Sequence, residues 1–235
     1  VFLIATGTSN RHVKTLIEEA EEYLENESGR TVLRREGVEG GKWALLDFGD
    51  LVIHVFDRET GAPRQAPSWT FAAIEPLFDA VVERIDGEQA QYTMFGHSAG
   101  SQFLHRFLYY VPEARVKRAI AANAGWYTMP DYGVDYPYGL DGSGVPESVL
   151  ANYFARDLVV LLGDADTVRE DEDLRKAPEA ELQGRHRYDR GHTFYRVARA
   201  KAGDLGVDFG WRLVEVPGAG HSNAEMTPAA ALLVD

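Results

Sequence analysis

The stretch "YTMFGHSAGSQFLHRF", residues 92–107, limits the possible folds of this chain of 235 residues more than any other segment. The run "YTMF" predicts a strand and "SQFLHRF" predicts a helix, and only Gly96-His97-Ser98-Ala99-Gly100 lies between them. A Gly-x-Ser-x-Gly sequence at a sharp strand-to-helix turn presents the serine oxygen at the tip, and the small residues permit the tight backbone. The stretch therefore predicts an α/β architecture with Ser98 as a candidate nucleophile. The alternative interpretation is an ordinary glycine-rich turn.

Candidate partners for Ser98 follow it along the chain. "LVVLLGDADT" reads as a strand that ends in an acidic loop, and "EVPGAGHSN" as a strand that ends in a loop with His221. The order serine, acid, histidine is the one that this kind of turn requires. His221 would take the proton of Ser98, and an aspartate would orient the imidazole. We favour Asp166 as that aspartate because it lies further beyond the strand end, and Asp164 remains the alternative.

The order of strand-like and helix-like segments predicts two regions, residues 1–60 and 61–235. Strands alternate with helices in the second region, which predicts a mostly parallel sheet with helices on both faces. The first 57 residues predict a small β-α-β-β unit with a tight hairpin turn at Gly49-Asp50. The segment 58–68 is rich in proline, glycine and charge, and it predicts the boundary.

Composition excludes several classes of function. The chain has no cysteine, so disulfides, thiolate metal sites and cysteine nucleophiles are excluded. Its histidines lack the spacing of a zinc site, and we expect neither a metal nor a cofactor. A formal charge of -13 argues against direct contact with nucleic acid, and no apolar run is long enough to span a membrane. The absence of a visible signal peptide favours the cytoplasm, and the sequence is compatible with a homo-oligomer.

An aromatic segment, residues 126–148, separates two predicted strands. It contains the aromatic pair Trp126 and Tyr127, followed by three further tyrosines. Long loops at the carboxyl edge of an open sheet commonly form the ligand pocket, so we expect Trp126 and Tyr127 to contact substrate. The alternative is a surface loop packed by its own rings.

From about Ser68 onwards the chain resembles a known family of hydrolases. "WTFAAIEPLFD", "GHSAGSQFLHRF", "GWYTMPD", "LLGDADT" and "VPGAGHSN" together resemble the catalytic half of an α/β-hydrolase of the esterase and polyhydroxybutyrate-depolymerase-like group. The resemblance implies an α/β-hydrolase-like sheet and hydrolysis of small or polymeric esters through an acyl-enzyme. It places Ser98, Asp166 and His221 at the matching positions. The family's early strands, with their His-Gly oxyanion loop, are absent.

The first 57 residues resemble a different family. "ATGTSNRHVKTLIEEAEEYL" and "EGVEGGKWALLDFGDLVIHVFD", in this order, are similar to the bacterial ribosomal silencing factor, or Iojap-like, family. That resemblance implies an acidic module that binds a basic ribosomal protein. It stops at "VFDRETG", before the segments that complete the family's fold. The second functional hypothesis is therefore a ribosome-binding module that carries a catalytically silent hydrolase remnant.

Acyl-enzyme formation needs two oxyanion donors, and the sequence offers two hypotheses for the second one. The backbone N–H of Ala99 supplies one donor, because it opens the helix after Ser98. In the first hypothesis the second donor comes from the turn "TGTS", where the N–H groups of Thr8 or Ser9 would point out of a helix start. In the alternative, which we favour, residues 1–57 fold as an independent appendage and water or a partner chain fills the gap.

Overall fold

The computed structural model describes residues 2–7, 10–29, 31–38, 43–48, 52–57 and 70–234. The chain divides into two compact units, Val1–Thr60 and Gly61–Asp235. The predicted hairpin turn at Gly49-Asp50 and the candidate donor Thr8 lie outside the described residues. No helix within those ranges is both long enough and apolar enough to cross a membrane.

The described residues of the first unit form one α-helix and a four-stranded sheet. Its elements are β1 (Phe2–Gly7), α1 (Asn10–Ser28), β2 (Arg34–Glu36), β3 (Trp43–Asp47) and β4 (Val52–Asp57). The strand order is β1-β4-β3-β2, with β1 parallel to β4 and the other pairs antiparallel. Val13 and Ile17 of α1 pack with Ala44, Leu46 and Phe48 in its core. The helix buries these residues because they recur at helical spacing.

The short strand β2 adds to the predicted β-α-β-β order. Its three residues pair antiparallel with β3, at the edge of the sheet. The sequence Arg34-Arg35-Glu36 has no apolar alternation, and its residues are largely exposed. A charged edge strand of this kind gives no periodic signal, and its backbone pairing alone makes it a strand.

The second unit contains a fully parallel sheet, in the order β5-β6-β7-β8. Its strands are β5 (Tyr92–His97), β6 (Val116–Ala122), β7 (Leu158–Gly163) and β8 (Arg212–Val216). A 3-10 turn (Thr70–Ala73) precedes the helices α2 (Ile74–Arg84), α3 (Ala99–Tyr110), α4 (Val149–Ala155), α5 (Pro178–Gln183), α6 (Arg187–Leu205) and α7 (Asn223–Ala231). All six residues of β7 are buried, as expected for a central strand covered on both faces.

Helices cover both faces of the parallel sheet. Met226 of α7 packs in one cluster with Val159 and Leu161 of β7. On the other side, a β-carbon at Gly191 of α6 would lie 2.3 Å from the side chain of Leu162. Adjacent residues of a strand point to opposite faces, so α7 and α6 lie on opposite sides of the sheet. The predicted parallel sheet with helices on both faces is therefore confirmed.

Helix α6 begins earlier than its apolar pattern predicts. The pattern starts near Phe194, whereas the helix starts at Arg187, with His186 as its N-cap. The His186 ring nitrogen accepts a hydrogen bond from the backbone N–H of Asp189 at 3.3 Å. The first turn was missed because it buries charged side chains, Arg187 and Arg190, instead of apolar ones. One of them reaches the candidate site.

Candidate active site

Ser98 lies at the turn between β5 and α3, in a conformation that residues other than glycine rarely adopt. Its φ is 56° and its ψ is -115°. Its backbone N–H donates to the carbonyl of Ala122 in β6 at 2.8 Å. A β-carbon at Gly96 would lie 2.4 Å from the carbonyl oxygen of Gly100, so the turn closes only because residue 96 has no side chain. This strained, tightly packed geometry is that of a nucleophile elbow.

The structure brings three of the sequence-predicted site residues together. The Nε2 atom of His221 lies 3.0 Å from the Oγ atom of Ser98. The Nδ1 atom of the same ring lies 2.8 Å from the Oδ2 atom of Asp166. Asp166 is almost fully buried, with 1% of its surface exposed. These contacts form one continuous chain from a buried carboxylate to the serine hydroxyl.

The alternative acid, Asp164, faces elsewhere. It is exposed, and its Oδ1 atom accepts a hydrogen bond from the backbone N–H of Gly218 at 2.7 Å. The carboxylate therefore braces the turn after β8. The two aspartates differ because the chain turns directly after β7, where the N–H of Asp166 donates to the carbonyl of Gly163 at 3.1 Å.

Asn123, which sequence reasoning missed, holds the His221 loop against the sheet. Its Oδ1 atom accepts from the N–H of Gly163 at 2.9 Å, and its Nδ2 atom donates to the carbonyl of Gly220 at 3.1 Å. Asn123 follows β6 with a positive φ of 46°, which asparagine tolerates better than most residues. A polar residue directly after an apolar strand was the signal available for it. Asn123 thus ties the end of β7 to the residue before the histidine.

His97 supports the imidazole of His221 from the side. The two ring centroids lie 4.7 Å apart at an interplanar angle of 33°. Burial, with a smaller effect from His221, lowers the pKa of His97 to about 3. His97 is therefore neutral near pH 7 and adds no positive charge beside His221.

A second buried group lies behind Asp166. The guanidinium of Arg187 has its Nη1 atom 3.6 Å from Oδ1 of Asp166 and hydrogen bonded to Oδ2 of Asp171 at 2.5 Å. The Arg187 side chain is 2% exposed. Sequence reasoning missed Arg187 and Asp171, because only the tertiary fold brings them to Asp166.

The remaining predicted site residues have other surroundings. Trp126 is 4% exposed, and it packs against the ring of Tyr138 and under the guanidinium of Arg106. Tyr127 is fully buried and stacks on Phe194 at 4.4 Å. Neither side chain leaves much surface for a substrate, and both are buried against helices α3 and α6 rather than packed only by rings of their own segment. Contact of Trp126 and Tyr127 with substrate remains a prediction.

Ala99 occupies the position expected of an oxyanion donor. It is the first residue of α3, directly after Ser98. Backbone N–H groups in the first turn of a helix have no intrahelical partner and favour nearby negative charge. The site therefore combines a serine, a histidine, a buried carboxylate and an amide positioned for a developing oxyanion. This set is suited to acyl transfer.

The first unit is similar to ribosomal silencing factors. Residues 1–63 match the family described as "Ribosomal silencing factor during starvation". The chain is 38% identical over 82 residues to ribosomal silencing factor RsfS of Chromobacterium violaceum, covering 32% of this chain and 66% of that protein. It is also 38% identical over 61 residues to RsfS of Halalkalibacterium halodurans, covering 26% of this chain and 51% of that protein. The chain thus spans about half to two thirds of these relatives' length.

The chain is also similar to two solved hydrolase structures. Poly(aspartic acid) hydrolase-1 from Sphingomonas sp. KT-1 is 33% identical with a TM-score of 0.78, and the match covers 99% of this chain and 86% of that one. LpqC, a poly(3-hydroxybutyrate) depolymerase from Bordetella parapertussis, is 28% identical with a TM-score of 0.75, covering 99% and 77%. By these matches and its parallel sheet, the chain belongs to the α/β-hydrolases of the esterase and depolymerase-like group, with a ribosomal-silencing-factor-like segment at residues 1–63.

Proposed function

We propose that this protein is a serine hydrolase that cleaves carboxylic esters through an acyl-enzyme on Ser98. The observation that carries the proposal is the continuous chain Asp166–His221–Ser98, with contacts of 2.8 and 3.0 Å. Its two neighbouring contacts match the geometry in which a base activates a nucleophile and an acid orients the base.

In the proposed first half-reaction, the Oγ atom of Ser98 attacks the ester carbonyl while Nε2 of His221 accepts the hydroxyl proton. The carbonyl oxygen becomes an oxyanion, which the N–H of Ala99 stabilises together with a second donor. Collapse of the tetrahedral intermediate breaks the bond to the alcohol oxygen, and His221 returns the proton to that oxygen. The products are an alcohol and the acyl-serine.

In the second half-reaction, a water molecule replaces the alcohol. His221 takes one proton from the water as its oxygen attacks the acyl carbon, and then returns that proton to Oγ of Ser98. The carboxylic acid product leaves. Throughout the cycle Asp166 holds the imidazole in one tautomer and stabilises the imidazolium, without itself becoming protonated.

Polymeric esters are the proposed substrate class, because one solved relative is named a poly(3-hydroxybutyrate) depolymerase. The name of the other, poly(aspartic acid) hydrolase, makes a polyamide the second candidate. A panel of poly(3-hydroxybutyrate), poly(aspartic acid) and short nitrophenyl esters of increasing chain length separates these substrates. Faster cleavage of poly(aspartic acid) than of every ester would contradict the ester assignment.

A pair of serine variants tests the catalytic assignment. Ser98→Ala should lower ester turnover on the order of a millionfold. Ser101→Ala is the matched control, since its hydroxyl lies one helical turn away, buried and without a hydrogen-bond partner among the described residues. It should keep the turnover of the unmodified protein. Substantial turnover by Ser98→Ala would remove Ser98 from the proposed role.

For the first unit we propose binding to a basic protein of the ribosomal large subunit. The support is the match of residues 1–63 to the silencing-factor family and the acidic charge of this segment. Complementary charge favours such a partner. Co-sedimentation with large ribosomal subunits tests it, and binding should weaken as the salt concentration rises. Failure to sediment at low salt would contradict the proposal and leave the hydrolase assignment untouched.

A further inference from the structure

Three charged side chains form a chain that continues beyond the catalytic histidine. Arg187, the first residue of α6, lies between the carboxylates of Asp166 and Asp171. Arg187 and Asp166 are almost fully buried, and the side chain of Asp171 is 24% exposed. The backbone N–H of Tyr188 also donates to the carbonyl of Asp166, at 3.3 Å, so the start of α6 contacts this aspartate twice.

The direction of the pKa of Asp171 indicates that its carboxylate is held in the charged form. Burial raises this pKa, but hydrogen bonds from Arg187 and from the backbone of Asp173 lower it by more, so it lies below its ordinary value. The charge of His221 also lowers it. Asp171 and His221 therefore interact electrostatically although Arg187 and Asp166 lie between them.

The charges of Asp166, Arg187 and Asp171 determine how strongly the protonated form of His221 is stabilised. Asp166 and Arg187 carry no net charge together, so the arginine offsets part of the attraction between Asp166 and an imidazolium at His221. With Asp171 ionised, the three side chains carry a net charge of -1, which matches the +1 of the imidazolium formed in the reaction. A carboxylate behind the arginine thus restores the attraction that the arginine removes.

We propose that Arg187 is a positioning residue for Asp166, and that Asp171 is the counter-charge that lets a buried arginine hold this aspartate without weakening the stabilisation of protonated His221. The inference rests on the proposed function, because it assigns a task to residues that contact no substrate. Arg187 fixes the carboxylate from the side opposite His221. Asp171 keeps the charge of the cluster negative.

The other titratable groups around His221 and Asp166 do not supply this charge. His97 of β5 is neutral near pH 7, since burial and the charge of His221 lower its pKa to about 3. Burial raises the pKa of Tyr127, beyond the end of β6, above its ordinary value, so it too is neutral. The carboxylate of Glu225 accepts a hydrogen bond from the N–H of Gly220, but this side chain is exposed. The charges that lie in one line behind His221 therefore belong to Asp166, Arg187 and Asp171.

The experiment compares Asp171→Asn with two controls in the full chain, by steady-state ester hydrolysis over a range of pH and by thermal unfolding. Glu172→Gln removes an exposed carboxylate from the same loop. Asp157→Asn is the matched control for structure, because Asp157 pairs with Arg118 and Arg212 at 2.6 and 3.2 Å and its side chain is 31% exposed. Asp171→Glu keeps the charge and serves as the conservative variant.

We expect Asp171→Asn to lower kcat about tenfold, with little change in KM. The reason is the loss of one negative charge that acts on His221 from beyond Arg187, in a partly buried site. The acid limb of its pH profile should move to lower pH, because loss of a negative charge makes the imidazolium less stable. Asp171→Glu should recover most of kcat. Glu172→Gln and Asp157→Asn should keep the kcat and the pH profile of the unmodified protein.

Two results would overturn the inference in different ways. If the unmodified protein shows Ser98-dependent turnover and Asp171→Asn keeps its kcat and pH profile, Asp171 has only a structural role and the proposed function stands. If the unmodified protein shows no Ser98-dependent turnover, the proposed function fails and the inference fails with it.

Discussion

At the scale of single residues, the absence of a side chain at Gly96 is a condition for the geometry of Ser98. We predict that Gly96→Ala lowers ester turnover by about 100-fold or more, because displacement of a reacting group by about 1 Å costs that much. The added β-carbon would lie 2.4 Å from the carbonyl oxygen of Gly100. That oxygen can move away only if the backbone of the turn around Ser98 moves with it. Steady-state kinetics measures the loss.

The control is Gly203→Ala in α6, where a β-carbon meets nothing within 4 Å. It should keep the turnover and raise the free energy of unfolding by up to about 1 kcal/mol, since alanine favours helix. Equal turnover by Gly96→Ala and Gly203→Ala would contradict the account of the elbow.

Two buried histidines predict how stability depends on pH. Burial is the main cause that lowers the pKa of both His97 and His105 to about 3. The unfolded chain binds a proton at each from about pH 6.5 downward, and the folded chain does not until about pH 3. The free energy of unfolding should therefore fall as pH falls through this window, by about 1.4 kcal/mol per pH unit for each histidine.

Urea unfolding at several pH values between 7 and 4 checks this prediction. His97→Gln should make the dependence on pH shallower by the contribution of one histidine. A dependence of unchanged slope in this variant would show that His97 is protonated in the folded state.

Sequence order was enough to select Ser98 and His221 and to favour Asp166 over Asp164, because the motif and the strand ends predict one edge of a parallel sheet. It could not select Asn123 or Arg187. Asn123 contacts a residue 40 positions away in the sequence, and Arg187 is a buried charge within a polar stretch. Neither feature produces a periodic sequence pattern. The catalytic roles of Ser98, Asp166 and His221 remain predictions.

At the scale of elements, the parallel strands were predictable and several helices were not. The strands are apolar runs bounded by turn residues, which is a direct signal of burial on both faces. Helix α7 was missed because it contains Pro228 and has little contrast between its faces. It packs on the sheet through two buried residues, Met226 and Ala230.

We predict that Met226→Ala lowers the free energy of unfolding by about 2–5 kcal/mol, the usual cost of truncating a buried side chain. Met226 has no exposed surface and lies against the strands that end at the Ser98 and Asp166 segments. Urea denaturation measures the change. Leu232→Ala, just beyond the same helix and 87% exposed, should change stability by no more than about 0.5 kcal/mol. Similar losses in both variants would contradict the packing of α7.

At the scale of the whole molecule, residues 61–235 hold Ser98, His221, Asp166 and the proposed donor Ala99 in one compact unit. We predict that a chain lacking residues 1–60 stays soluble and hydrolyses esters at the rate of the full chain. A fall of about 10²–10³-fold in kcat, the cost of one oxyanion donor, would instead favour a donor from the first unit, such as Thr8.

The resemblance of two segments to two families predicted both halves of the molecule, and the matches to silencing factors and to hydrolases confirm that reading. A joint function of the two units could not be predicted from sequence. The motifs of each family describe that family's own unit and carry no information about the unit beyond residues 58–68.

The proposed function depends on activation of Ser98 as a nucleophile by His221 and Asp166. Its most direct measurement is labelling of the full chain with a fluorophosphonate, which reacts only with an activated serine, followed by mass spectrometry of the peptides. We predict a single adduct on Ser98, which is lost in Ser98→Ala and forms far more slowly in His221→Ala. An adduct on another serine, or none under conditions that label a known serine hydrolase, would contradict it.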